Sequence, residues 1–195
     1  MNQDKASYHH GNLKASLINA AQEILETQGT GALSMRALAD RVGVSRTALY
    51  HHFSDKNDLL CALAESGFSH LYTLISSNDV SSAHANEQLH SAILGYLKFA
   101  TENAAQYDLM FGKTLWHTEH ETHFQRYAKD CFRLYVSLFE SLQQNQTLKT
   151  PEPPLRLAQL MWASLHGLSQ LMNDDILTAK EDMRTLAAHL LNRFI

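Results

Sequence analysis

Proline and glycine are scarce in this chain of 195 residues: three prolines and eight glycines punctuate it. So few breakers leave room for few tight turns, and no alternating strand pattern competes with helix. Cysteine is scarcer still. Cys61 and Cys131 both sit inside helix-like apolar patterns, which argues against a disulfide framework or a cysteine metal site. No run of eighteen apolar residues occurs, and the opening MNQDKASYHHGN has no apolar core, so neither a membrane span nor a signal peptide is supported. A soluble, cytoplasmic protein with no membrane partner is expected. Net positive charge is also missing. The formal charge is −4, and residues 1–68 hold 6 Lys/Arg against 7 Asp/Glu, so a generally basic nucleic-acid coat is excluded and any DNA contact must be local. Paired carboxylates, a nucleophile elbow and a glycine-rich phosphate loop are absent as well. An enzyme would have no residues to rest on, and no cofactor is expected.

What is present is helix. Apolar residues make up 45% of the chain and recur at spacings of three and four. A first helix is predicted from about Asn12 to Gln28, a short one after Ser34, and a third from Ser45 to Phe53 behind a turn made by Gly43 and Val44. A longer helix should run from Ser54 to about Ser76. The serine-rich stretch that follows is the best internal boundary, placing one domain at 1–76 and another at 77–195. The second should hold helices over Glu87–Glu102, YDLMFG, Glu119–Gln144, Pro154–Met172 and Lys180 to the C-terminus. The fold class expected is all-α.

Two short helices joined by a tight Gly-containing turn make a helix-turn-helix. In "VGVSRTALYHHFSDKNDLL", Ser45 reads as an N-cap with Arg46 behind it, and Ser54 as another with Lys56 two places on. A cation beside a helix N-terminus is mildly unfavourable unless an anion faces it. DNA phosphate would supply that anion. Helical spacing places Arg46, Thr47, Tyr50 and His51 on one face, with Ala48, Leu49 and Phe53 on the other. Arg46 suits a guanine edge or phosphate, Thr47 a thymine methyl or phosphate, and Tyr50 a phosphate. His9 and His10, in the polar N-terminal arm, are expected to approach the DNA backbone or a minor groove, to be disordered, or to cap the first helix.

These stretches carry a resemblance. "LKASLINAAQEILETQG", "LSMRALADRVGVSRTALYHHF" and "FSDKNDLL" together look like the DNA-binding domain of the TetR family of bacterial transcriptional regulators, from about Leu13 to Leu63. "YHHGNLK" resembles the start of a subgroup, and "MWASLHGLSQL", with Trp162, His166 and Gly167, resembles that subgroup's C-terminal ligand domain. The resemblance implies a homodimer that binds an operator palindrome in double-stranded DNA and is released by a small-molecule effector, most members being repressors. It implies phosphate contacts for Tyr50 and Lys56, base-facing positions for Arg46 and Thr47, and backbone or base contacts for Ser34 and Arg36.

In the C-terminal half, Tyr107, Met110, Phe111, Trp116, His117, Trp162 and His166 are aromatic or polar enough to line a mostly apolar cavity. The helix from Leu155 to Met172 is apolar around most of its circumference and the last helix adds a further stripe, so a homodimer pairing them across a two-fold axis is expected. "HTEHETH", residues 117–123, falls short of the zinc-protease pattern because His120 and His123 are three apart rather than four. No metal site is assigned there. A metal-responsive regulator and a helical dimer acting only through protein partners stand as alternatives, the second leaving the cation-tipped helices unexplained.

Overall fold

The computed structural model describes residues 13–76, 85–117, 121–148, 150–177 and 182–193. His9, His10 and His120 lie outside them. Among the described residues the regular elements are helices: α1 (Leu13–Gln28), α2 (Met35–Val42), α3 (Arg46–Tyr50), α4 (Lys56–Ser76), α5 (Ala85–Glu102), α6 (Ala104–Phe111), α7 (Lys113–Trp116), α8 (His123–Gln144), α9 (Pro154–Asn173) and α10 (Met183–Leu191). No helix among the described residues is long and apolar enough to cross a membrane.

Backbone packing divides the chain into two units, residues 1–63 and 64–195. The boundary falls inside α4 rather than after it, where the serine-rich stretch had suggested residue 76. The physical reason is that α4 has two apolar segments serving two cores. Leu59, Leu60 and Leu63 are buried in the first unit, and Ala64, Phe68 and Leu71 in the second.

In the first unit, Leu17, Ala21, Ile24 and Leu25 of α1 form a buried stripe with Leu33, Leu38, Leu49 and Phe53. The Ser34 hydroxyl caps α2 by accepting from the Ala37 N–H at 3.1 Å. Gly43 ends α2 at φ 74°, where its own N–H and that of Val44 both reach the Ala39 carbonyl at 3.0 Å. A side chain at that left-handed position would be strained, which is why the turn needs glycine. The Arg41 guanidinium, 2.6 Å from the Glu23 carboxylate, ties α2 to α1.

In the second unit, α5, α8, α9 and α10 share one core built around Ile93, Leu97, Phe139, Leu142, Ala158, Met161 and Ala187. The reciprocal cap at Thr122 opens α8: the Gln125 N–H donates to the Thr122 hydroxyl and the Thr122 N–H to the Gln125 side chain, both at 3.2 Å. The Gln125 amide also donates to the Leu115 and Trp116 carbonyls at 2.9 and 3.1 Å, fixing the end of α7. That cap explains why α8 starts at His123; Glu119, the start expected from sequence, lies outside the described residues. Gly67 of α4 is required by Met110 of α6, since a Cβ there would lie 2.3 Å from the Met110 sulfur, itself fully buried.

α9 is apolar on two sides. Leu157, Ala158, Met161, Leu165 and Met172 face the core, while Leu155, Leu160 and Leu171 are exposed. Between Leu160 and Leu171 the outer face carries Ala163, Ser164 and Gly167, and space around Gly167 is open.

Candidate functional site

Residues expected to meet DNA lie on α2, α3 and the start of α4. Ser45 caps α3 by accepting from the Ala48 N–H at 3.1 Å. Leu49 points inward and is fully buried, and the same helical turn leaves Arg46, Thr47, Tyr50 and His51 exposed together. Tyr50 is 51% exposed, unusual for a side chain with so much apolar surface. Regular helix ends at Tyr50, short of the Phe53 expected from sequence. The His52 and Phe53 N–H groups still bond to the Leu49 carbonyl, at 2.9 and 3.1 Å, so the chain turns once more before Phe53 enters the core.

The start of α4 corrects the sequence-based assignment. Ser54 is not its cap. Asp55 accepts from the Asp58 N–H at 2.8 Å, and the Asp58 carboxylate in turn accepts from the Ser54 N–H at 2.9 Å. Two carboxylates therefore already face this helix start, so its free N–H groups do not by themselves call for an outside anion. The half-buried Lys56 ammonium donates to the Thr30 carbonyl at 3.0 Å, holding α4 to the turn after α1. Of the expected α2 residues, Ser34 spends its hydroxyl on the cap, and Arg36 is exposed with Asp40 at 3.8 Å.

The second unit holds a narrow, partly open cavity of about 50 Å³ walled by α4, α5, α8 and α9. Its lining is apolar apart from the ends of Tyr72, Tyr96, Tyr135, Cys131 and Trp162. Burial pushes the Tyr96 and Tyr135 phenols well above their ordinary range and the Cys131 thiol up to about 11, so this wall carries no charge at neutral pH. An open recess of about 430 Å³ adjoins it, lined by Phe111, Trp116, Ala128, Phe132 and the cations Lys129 and Arg133. Phe68 and Trp162 line both spaces.

Of the cavity residues expected from sequence, Phe111, Trp116 and Trp162 line these spaces. Tyr107 and Met110 are fully buried and line neither, and nor does the half-buried His166. Tyr107 instead links two neighbours: its hydroxyl lies 2.7 Å from the Tyr96 hydroxyl and 2.8 Å from His166 Nδ1. Either imidazole tautomer closes this chain, with all the protons pointing one way or the other. The residues that sequence reasoning missed, Leu71, Ile93, Tyr96, Tyr135 and Leu138 among them, recur at ordinary core spacing, so periodicity offered no signal to separate wall from core.

Burial holds the His166 pKa below its usual value, with the Asp108 carboxylate partly opposing. The ring is neutral at pH 7. As pH falls below about 6.5, the unfolded chain takes up this proton before the folded one does, so stability is lost through that window. His166→Gln is expected to flatten this part of the acid limb. Unfolding midpoints of both proteins between pH 7.5 and pH 5 measure it, and parallel curves would remove His166 as the cause.

His117 is exposed and lines neither space, Glu121 pairs with Lys129, and His123 lies 2.7 Å from the Glu65 carboxylate. Among the described residues no three His, Cys, Asp or Glu side chains are grouped to hold a metal ion.

Residues 17–63 match the family described as bacterial regulatory proteins, tetR family, and residues 89–194 match the tetracyclin repressor-like C-terminal domain. The HTH-type transcriptional activator FasR of Mycolicibacterium smegmatis is 29% identical over 98 residues, 50% of this chain and 45% of that one. The class A tetracycline repressor of Escherichia coli, from transposon 1721, is 43% identical over 58 residues, 30% of this chain and 27% of that one. The match thus spans less than half the length of either relative. A solved structure of a protein of unknown function from Rhodococcus sp. RHA1 covers 97% of both chains at 28% identity, with a TM-score of 0.80. Two family matches, one to the unit that carries the helix-turn-helix and one to most of the unit that carries the cavity, lead to one conclusion: the chain belongs to the TetR family of bacterial transcriptional regulators.

Proposed function

We propose that this protein is a homodimeric repressor that binds a palindromic operator and is released by a small molecule held in its C-terminal unit. The observation that carries this reading is the division of α4. Its first two turns belong to the unit that bears Arg46, Thr47, Tyr50 and His51, and its remainder supplies Phe68, Leu71, Tyr72 and Leu74 to the cavity wall. A ligand that wedges α4 away from α8 and α9 therefore acts on a helix that also frames the DNA-reading unit. Ser34, Arg36, Ser45 and Lys56 border the same surface as backbone contacts in this reading.

The outer face of α9 supports the dimer. Exposed Leu160 and Leu171 flank Ala163, Ser164 and Gly167, small residues that let a second helix approach closely. Two copies then place their α3 helices in successive major grooves about 34–36 Å apart, or a multiple of that.

Selection of bound fragments from a random duplex pool tests the reading. An inverted repeat bound by two protomers is the expected result. Gly167→Glu, at a position with open space and ordinary helical backbone, is expected to leave the fold intact and give a monomer by sedimentation velocity, with operator affinity reduced at least tenfold. A dimer that persists in Gly167→Glu would put the interface elsewhere. No enriched sequence at low or moderate salt would overturn the operator reading.

A further inference from the structure

The two adjoining spaces in the C-terminal unit differ in chemistry, and that difference assigns a ligand class. Phenols, a thiol, an indole and hydrocarbon wall the inner cavity of about 50 Å³, and among the described residues no Lys, Arg, His, Asp or Glu lines it. A charged group inside would give up most of its hydration and meet no opposite charge among these residues. At about 50 Å³ the space is too small for a long tail as it stands, so a tail enters by wedging α4 away from α8 and α9, and a slender apolar chain needs less widening than a fused ring system. The outer recess of about 430 Å³ has an aromatic floor of Phe111, Trp116 and Phe132, and two cations among its lining residues, Lys129 and Arg133. The two cations stand four apart on α8, one helical turn, and so share a face. Phe68 and Trp162, common to both linings, form the partition between them.

We propose that the effector is an amphiphile with an unbranched alkyl tail and a single carboxylate head, its tail passing between Phe68 and Trp162 into the inner cavity and its head resting on Lys129 and Arg133 in the recess. This deepens the effector-controlled reading above and rests on it only for the consequence to DNA. Each cation has a carboxylate neighbour, Glu121 for Lys129 and Asp130 for Arg133. All four side chains are largely exposed, with 43% to 73% of each in contact with solvent. Such pairs hold weakly, so a ligand head can share or displace them. The tail contributes most of the affinity and the cations select the sign of the head.

The molecule carries its own probe, since its two tryptophans, Trp116 and Trp162, both line the recess. Tryptophan emission of the full-length protein is titrated with decanoate, decan-1-ol, decyltrimethylammonium and hexanoate, all below their aggregation limits. Decanoate is expected to bind at least fivefold tighter than decan-1-ol and at least tenfold tighter than either decyltrimethylammonium or hexanoate. The double variant Lys129→Gln, Arg133→Gln is expected to bring decanoate and decan-1-ol within twofold of each other while leaving decan-1-ol unchanged. Equal or tighter binding of the alcohol or the ammonium to wild type overturns the proposal, as does a preference for decanoate that survives in the double variant. So does hexanoate binding as tightly as decanoate, because the tail would then lie outside the cavity. Absence of any saturable change with decanoate also overturns it. Operator release is measured separately on the selected duplex. Decanoate that binds with the expected preferences but does not release DNA would leave the ligand assignment standing and defeat the repressor-release reading instead.

Discussion

Phe53→Ala is expected to cost the DNA-reading unit about 3–5 kcal/mol, the range for deleting a buried phenylalanine ring, and with it all measurable operator binding. The ring is 1% exposed and closes the core of the first unit at the point where the chain leaves α3 for α4. Leu49 and Leu59 are buried on either side of it in sequence, and the Lys14 ammonium lies 5.8 Å from its centroid. A unit this small has little stability to spare, since domains of its size typically hold only a few kcal/mol. Amide hydrogen exchange gives the readout. Protection over α1 to α3 should collapse while α8 and α9 keep theirs, and duplex binding should vanish. If α1 to α3 stayed protected in the variant, Phe53 would not hold the place in that core that its burial assigns.

Arg46→Ala is expected to reduce discrimination at one base position of the operator by about 1–3 kcal/mol, roughly fivefold to 150-fold, with smaller effects elsewhere. The expectation rests on how the cations of this unit are used. Arg41 is tied to Glu23, Arg36 sits beside Asp40, and Lys56 holds the Thr30 carbonyl. Arg46 stands exposed at the first position of α3, the end of a recognition helix that meets base edges. Lys56→Ala and Tyr50→Phe make the comparison sharp, because loss of a phosphate contact weakens all duplexes alike and lowers the salt slope by about one unit per phosphate. Binding of wild type and variants to the selected operator and its single-base substitutions separates the cases. Uniform loss with preference intact in Arg46→Ala would make Arg46 a backbone contact.

Helix-turn-helix geometry was legible in the sequence because it is written in local chemistry. Ser34 and Ser45 cap, Gly43 turns, and Leu38 and Val42 stand four apart on α2, each of these acting over four residues or fewer. The cap of α4 was misassigned because Ser54, Asp55 and Asp58 all have side chains fit to accept from a helix start, and only three-dimensional positions decide between them. The cavity was legible only in part. Trp162 and Phe111 stand out as large aromatic residues, but Tyr96 and Leu138 follow the same periodicity as the core they adjoin. Whether a helix face meets another side chain or an empty space depends on partners distant in sequence, and the 3.6-residue period does not record them.

The division inside α4 bears on how the molecule can be taken apart. Leu63 and Ala64 are consecutive residues in mid-helix, so a cut at the boundary between units leaves about four carbonyls on one side and four N–H groups on the other without intrahelical partners. The cut itself falls between Leu63 and Ala64, where a C-terminal end calls for glycine or asparagine and an N-terminal end for serine or aspartate, and Glu65 is already within hydrogen-bonding distance of His123. A protease that needs extended backbone finds none at that junction. Fragments meant to isolate either half are therefore better ended past Ser76 or begun before Lys56, so that each keeps the whole of a helix that the two units own jointly.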